Sequence, residues 1–393
     1  MYYSFHLTPV TWALLGTALV CFAIVALWHV LRARRLERFV QRDEASRDCL
    51  GDNELPAVSV IVDAEGETGQ LTKFLPLVLH QDYPAPMEVI VVADGSAEST
   101  GDLLSEMKAA FPNLHITFTP SDTRSLSRKK LALMIGIKAA RHEVVLTTSA
   151  NCRVTSDQWL RTMLHNFTAG TDVVLGYSHY RYKQDRKAGR RWRVFDTVST
   201  GAQWLLSAIE GHPYRGVSDN LAYRRQLFFD NNGFARSMNL RWGDDDVFVA
   251  EIARPDNTRV ELAPDSQVTV YYDNLARTHR VLKMRRDFTA RLGRQAQRRL
   301  LAVMSVLWLM AHAAAIAAVA LIATNAVVIV AAVVMTLAAW GVAAWGVSRQ
   351  CRVLQAPALK LSAPLLMLWR PLVNGIYRLR EIRTRKSNYT TYL

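Results

Sequence analysis

Three long apolar runs stand out from an otherwise mixed chain, at residues 11–31 (TWALLGTALVCFAIVALWHVL), 300–322 and 326–347. Each holds roughly 20 residues, enough to cross the hydrocarbon core of a bilayer as a helix. The first has no Lys or Arg before it and is followed by Arg32, Arg34, Arg35 and Arg38. That pattern predicts an uncleaved anchor with a cytoplasmic basic flank, because a signal peptide carries its charge on the other side. The second and third runs are joined around Thr324-Asn325 and flanked by Arg298/Arg299 and Arg349/Arg352. They predict a transmembrane hairpin with both ends in the cytoplasm. A fourth stretch, residues 356–378, is broken by Lys360 and Arg370. A charge at depth is costly, so this stretch predicts an in-plane or re-entrant helix.

Between the first run and the hairpin the pattern changes. Short continuous apolar segments at 58–62 (VSVIV), 88–92 (EVIVV), 143–148 and 172–180 alternate with helical spacing at 70–80, 125–140 and 194–209. Strands buried on both faces and separated by helices predict an α/β fold with a mostly parallel, doubly wound sheet. Ligands in such folds rest outside the carboxyl ends of the strands. Those ends are Ala93-Asp94-Gly95-Ser96 and Ser149-Ala150-Asn151-Cys152, the latter leading to a helix start at Thr155/Ser156. The expected layout is a short extracytoplasmic N-terminus (1–10), an anchor (11–31), a basic linker (32–56), a cytoplasmic domain (57–275), a basic interfacial helix (276–299), the hairpin (300–347), and an interfacial segment with a cytoplasmic tail (348–393).

Charge narrows the partners. The chain has 48 Lys+Arg against 34 Asp+Glu, a formal net charge of +14. The excess lies mainly in residues 32–42, 181–193 and 277–299, and the first and third of these border apolar runs. Anionic lipid and an anionic substrate account for that placement. No helix-turn-helix, zinc or aromatic stacking pattern accompanies it, so a nucleic-acid partner is not expected. The four cysteines share no metal-ligand or paired spacing and predict free thiols, with Cys152 a small packing residue.

The candidate chemistry lies in an ordered series of motifs: Val58-Ser59-Val60-Ile61, Glu67, Gln81-Asp82-Tyr83-Pro84, Glu88 to Val92 with Asp94 and Ser96, and the basic pair Lys129/Lys130 in SLSRKKLALMIGIKAA. They continue through Ser149-Ala150-Asn151-Cys152, Asn220-Leu221-Ala222-Tyr223-Arg224-Arg225, Gly233-Phe234, Gly243-Asp244-Asp245-Asp246-x-Phe248, and Arg285, Arg286 and Phe288. Read as residues alone, Asp94 suits a helix N-cap or turn and Lys129/Lys130 a solvated face. Three adjacent carboxylates suit an acidic first helical turn, or a site where a cation or a proton relieves their repulsion.

In its order, the series resembles that of the membrane-bound family 2 glycosyltransferases, which have the GT-A (Rossmann-like) fold. The resemblance implies donor binding by Glu67, Asp94, Lys130 and Arg286, with Lys129 a weaker candidate, and by Ser149 and Asn151 at the family's Asp-x-Asp positions. Both Asp-x-Asp carboxylates are absent here, and Gly66 replaces the usual Asn. Those carboxylates normally hold a divalent cation, Mg²⁺ or Mn²⁺, against the donor diphosphate; Ser149 and Asn151 bring no negative charge. On the acceptor side the resemblance implies Asp245 as general base, with Asp244 the next choice, Asp246 as helix cap or cation ligand, and Asn220. The implied activity is inverting transfer of a sugar from a nucleotide-diphosphate donor to a lipid-linked or saccharide acceptor at the inner membrane. The alternative expectation is a catalytically degenerate scaffold of the same fold.

Overall fold

The structure is a computed structural model, and it describes residues 8–46, 49–64, 68–94, 98–120, 127–182, 185, 188–289, 296–322 and 325–383. Glu67, Gly66, Ser96, Thr324 and residues 384–393 therefore lie outside the described residues. The strands are β1 (Val58–Asp63), β2 (Met87–Asp94), β3 (Leu114–Thr119), β4 (Val144–Ser149), β5 (Cys152–Val154), β6 (Val173–Leu175), β7 (Ser178–Tyr180), β8 (Leu221–Arg224), β9 (Thr258–Val260) and β10 (Val268–Val270). The helices are α1 (Pro9–Ser46), α2 (Thr68–Leu79), α3 (Glu98–Ala110), α4 (Arg128–Ala139), α5 (Trp159–Leu164), α6 (Arg190–Ile209), α7 (Arg225–Asp230), α8 (Asp246–Ile252), α9 (Leu275–Thr289), α10 (Ala296–Leu321), α11 (Ala326–Val353) and α12 (Ser362–Arg383).

The main sheet has seven strands in the order β3-β2-β1-β4-β8-β6-β9, and a second sheet has the order β5-β10-β7. Within the main sheet only β8 runs against the others. The mixed, mostly parallel sheet expected from the apolar runs is thus present. The direction of β8 matters for function. The carboxyl ends of β2, β1 and β4 and the amino end of β8 fall on one edge, which brings Asp94, Asp63, Ser149 and the segment before Leu221 to the same side.

Side chains on these strands alternate between two cores, as the two-residue period of a strand requires. Val58, Val60, Val62, Val89, Val91, Val144 and Leu146 pack with α2, α3 and α5. Ile61, Ile90 and Val145 point the other way, into a core that includes α4, α6 and α8 and continues without a break to Phe22, Trp308, Ala311, Val347 and Cys351 of the long helices. The predicted strand at 172–180 is split at Gly176. A Cβ there would stand 2.5 Å from Asn220 Nδ2, so only glycine lets the chain pass from one sheet to the other at this point.

Three helical segments are long and apolar enough to cross a membrane, Pro9–Gln41, Arg299–Leu321 and Ala326–Val353. They coincide with the three predicted runs. Helix α1 buries Ala18, Cys21, Phe22, Val25, Ala33 and Leu36 along one stripe against α10 and α11 and leaves Leu19, Val20, Ile24 and Leu27 exposed. An apolar exterior with small residues at the contacts is how helices associate in lipid. The predicted linker differs: the helix runs through the basic flank as far as Ser46. Arg, Leu, Glu and Val propagate a helix, and no Gly or Pro stands in the way before Gly51. Residues 362–383 form α12, with Pro371 inside it, and it is not among the three spanning segments.

Candidate active site

The site is built from the acidic turn upward. Gly243 adopts φ +106°, and a Cβ there would come within 3.0 Å of Val247. Glycine is what allows the reversal that presents Asp244, Asp245 and Asp246 together. Behind the turn Phe228, Phe234, Phe248 and Tyr223 pack ring against ring, with Phe234 and Phe248 centroids 5.1 Å apart. These aromatics hold the start of α8 in place. The Gly-Phe step and Phe248 of the sequence motifs are therefore part of the support for the acids.

All three acids are buried, and their charges are answered mainly from α9. Arg285 Nη2 lies 3.0 Å from Asp244 Oδ1 and 2.5 Å from Asp245 Oδ1. Lys129 Nζ lies 3.7 Å from Asp244 Oδ2. Asp245 caps α8, accepting from the Asp246 amide at 2.7 Å. Asp246, expected as the cap, instead accepts from the Val247 amide at 2.9 Å and from the Thr289 hydroxyl. Burial opposes ionisation of Asp244, but Arg285 and Lys129 outweigh it and hold its carboxyl below the usual range. For Asp245 the balance reverses. Burial, reinforced by Asp244 and Asp246, outweighs Arg285 and pushes its pKa up to about 7.

At the strand edge, Ser149 Oγ donates to Asp219 Oδ1 at 3.0 Å, and Lys129 Nζ stands 3.6 Å from the same oxygen. Burial works against the charge of Lys129, yet Asp219, Asp244 and Asp63 together raise its pKa above the ordinary lysine range. The ammonium thus links the carboxyl edge of the sheet to the acidic turn. Both border one cleft, partly open to solvent, whose lining includes Lys129, Arg215, Asp219, Asp245, Tyr272, Arg285 and Arg286. Arg215 forms no ion pair among the described residues, and its Nε has no hydrogen-bond partner. Burial lowers its pKa, with Asp246 opposing and Arg286 adding to the effect.

These residues do not make a dedicated divalent-cation site. Among the described residues, no group of three or more His, Cys, Asp or Glu side chains could hold a metal. The carboxylate hydrogen-bonded to Ser149 is Asp219, and an ammonium already stands against it. Asn151 is turned inward: its Nδ2 donates to the Tyr271 carbonyl at 3.1 Å, and its own carbonyl accepts from the Tyr271 amide at 2.9 Å.

Other expected site residues take structural positions. Lys130 is buried and its Nζ donates to the carbonyls of Ser237 and, at 3.0 Å, Leu240, pinning the chain ahead of the acidic turn. Its neighbour Lys129, the weaker sequence candidate, faces the carboxylates. Asn220 is fully buried; its Oδ1 accepts from Trp159 Nε1 at 3.1 Å and its Nδ2 donates to the carbonyls of Tyr177 and Ser266 at 3.0 and 2.7 Å. It therefore ties β4–β8 to the second sheet and has no donor left for an acceptor substrate. Asp94 is ion-paired with Arg128 at the end of β2, and Arg286 lines the cleft while lying 3.4 Å from Asp196.

Sequence reasoning gave no role to Asp219 or Arg215, and of the pair Arg285/Arg286 it carried the donor role to Arg286. Asp219 directly precedes the quoted Asn220 and Arg285 stood inside a quoted motif, but only the direction of β8 and the pitch of α9 decide which residue of each run turns inward. Arg215 lies outside every motif.

The comparisons agree with this architecture. A mannosyltransferase from Pyrobaculum calidifontis, solved in complex with GDP-Man and Mn2+, superposes with a TM-score of 0.56 at 19% identity, covering 91% of this chain and 99% of that one. It is similar in fold, and the GT-A-type arrangement expected from the motifs is what the two share. The glycosyltransferase AglE of Haloferax volcanii is 27% identical over 146 residues, which is 37% of this chain and 46% of that protein. The chain thus spans less than half the length of this curated relative. The sequence pattern of glycosyl transferase family 21 matches residues 10–380, anchor, domain and hairpin together. The expected resemblance is met at the level of a glycosyltransferase, with family 21 matched where family 2 was expected, and the chain belongs to glycosyl transferase family 21.

Proposed function

We propose that the protein transfers a sugar from a nucleotide-diphosphate donor to a lipid-linked or saccharide acceptor held at the cytoplasmic face of the inner membrane, with inversion at the anomeric carbon. One observation carries this reading: Lys129 Nζ lies 3.6 Å from Asp219 at the donor edge and 3.7 Å from Asp244 on the acidic turn, so the two halves of a glycosyl-transfer site share one cleft. The GDP-Man bound by the structural neighbour makes GDP-sugars the first donors to test.

In this reading Asp245 is the general base. Its raised pKa gives it the proton affinity to take a hydroxyl proton near neutral pH. The acceptor oxygen attacks the anomeric carbon, the bond from that carbon to the diphosphate oxygen breaks, the proton passes to Asp245, and the nucleoside diphosphate leaves. Charge developing on the diphosphate is met by Lys129, Arg215 and Arg286, fixed cations along the same wall. Lys129 stands within electrostatic reach of Asp219, Asp244 and Asp63. The positive charge at the leaving group is therefore built into the chain.

The second reading is a scaffold of the same fold. It is favoured by the absent Asp-x-Asp carboxylates and by Arg285, which already engages the proposed base. Purified full-length protein incubated with GDP- and UDP-sugars separates the two. Nucleotide release that Asp245→Asn abolishes supports transfer. Thermal stabilisation by a nucleotide diphosphate with no turnover on any acceptor supports the scaffold.

A further inference from the structure

A second pocket, partly open to the surroundings, lies on the other side of α6 from the cleft. Phe195 and Ser199 face it, one helical turn apart, whereas Thr197, Thr200 and Gly201 face the cleft. Its polar lining comes from His29 and Arg32 of α1, Gln350 of α11 and Arg370 of α12. His29 lies in the last turn of the first apolar run, Arg32 and Gln350 just follow theirs and Arg370 lies in α12, at the end where the long apolar helices meet the α/β domain. The remaining wall is apolar and includes Trp308, Met304 and Met367.

The two guanidiniums are close enough to act on each other and on His29, and neither forms an ion pair among the described residues. The acids within electrostatic reach are already engaged. Glu210, near Arg32, is paired with Arg35. Asp196, near Arg370, is shared by Lys283 at 2.7 Å, His279 at 3.1 Å and Arg286 at 3.4 Å. Around the arginines further polar atoms stand without partners: both ring nitrogens of His29, Nε of Arg32 and Nε2 of Gln350. His29 and Gln350 are only 5% and 3% exposed. The two guanidiniums are half-buried and stand over the rings of Trp28, at 4.4 Å, and Phe195, at 5.8 Å, so two like charges and several unanswered donors share one pocket, an arrangement that an anion with several acceptor oxygens would relieve.

We infer that the pocket binds the phosphate of an anionic membrane lipid. Guanidinium groups take phosphate oxygens in pairs, Gln350 and His29 can donate to the rest, and Trp308, Met304 and Met367 give an apolar path for the attached chain. A free phosphate or a nucleotide would leave those apolar walls uncovered. The site is separate from the donor cleft, and its ligand is identified by binding whether or not sugar transfer is found.

The test uses the full-length protein in an uncharged detergent, with phosphatidic acid, phosphatidylcholine or inorganic phosphate added. Phosphatidic acid should raise the Tm by about 3 °C at saturation, and phosphatidylcholine and inorganic phosphate should not. Arg32→Gln and Arg370→Gln should lose the shift, Arg370→Lys should keep part of it, and Arg34→Gln, at an exposed position on the same helix, should keep all of it. An equal shift from inorganic phosphate, or an unchanged shift in both Gln variants, overturns the inference. Should either variant fail to fold, a photoactivatable phosphatidic acid on the wild-type protein decides the matter. Labelling concentrated at Met304 and Met367 supports the site, and labelling spread over the outer bundle surface overturns it.

Discussion

Arg285 Nη2 lies 2.5 Å from Asp245 Oδ1 and 3.0 Å from Asp244 Oδ1, so one guanidinium on α9 holds two buried carboxylates that adjoin in sequence. Removing it leaves those charges in a poorly solvated turn. Arg285→Ala should lower the unfolding free energy by about 3–5 kcal/mol, the usual consequence of stripping one partner from a buried ion pair. Arg285→Lys should recover part of that loss. Thermal or denaturant unfolding in detergent measures both, and a Tm unchanged in the Ala variant would show that the clamp does not support the turn.

The elevated proton affinity of Asp245 fixes the direction of a pH effect. An acid titrating near 7 keeps its proton below that pH and cannot accept another. Transfer should therefore rise with pH through neutrality and fall by about tenfold per unit on the acid side. Asp245→Asn should reduce turnover by about 10²–10⁴-fold with little change in Tm. A profile flat between pH 5.5 and 8.5 would remove Asp245 from the role of base.

Lys129 and Ser149 predict how the enzyme responds to chelators. With an ammonium already among Asp219, Asp244 and Asp63, activity should survive EDTA. Lys129→Met should reduce kcat more than it changes the KM for the donor. Ser149→Asp combined with Asn151→Asp should introduce dependence on Mn²⁺ or Mg²⁺. Complete loss of wild-type activity in EDTA, restored by Mn²⁺, would overturn the assignment of Lys129.

Asn220 should behave as a structural residue. Its amide joins Trp159, Tyr177 and Ser266 across two sheets, so Asn220→Ala should cost about 2–4 kcal/mol of stability through the buried groups left unpaired. Gly176→Ala should also destabilise, because its Cβ would press on the same amide. Normal stability of Asn220→Ala with a selective rise in acceptor KM would return Asn220 to the acceptor side.

The architecture was legible because it rests on long-range periodicity. Runs such as 58–62 and 88–92 are apolar at all but one position each, Ser59 and Glu88, since both faces of β1 and β2 are covered, and the three long apolar helices follow from length and hydropathy. The acidic turn stood out too, since adjacent carboxylates before an apolar helix repel unless a cation, a helix N-terminus or a proton disperses the charge. What the sequence could not resolve was which member of a charged run turns inward. Lys129 and Lys130 are adjacent, yet one faces three carboxylates and the other donates to two carbonyls, because neighbouring residues on a helix differ by about 100°. Arg285 and Arg286 part in the same way, one onto the acidic turn and the other toward Asp196. Asn220 shows a related limit: a polar residue beside a motif reads as available until its hydrogen-bond partners are known.

Helix α6 lies between β9 on one side and α1, α11 and α12 on the other, inside one continuous apolar interior. A truncated version cut free at either end of the α/β portion would strip α6 of half its wall and leave Val194, Val198 and Leu205 bare to water. Such a fragment should precipitate or recruit detergent. The three long apolar helices are in this sense a face of the α/β body itself, and biochemical work on the protein has to keep them attached.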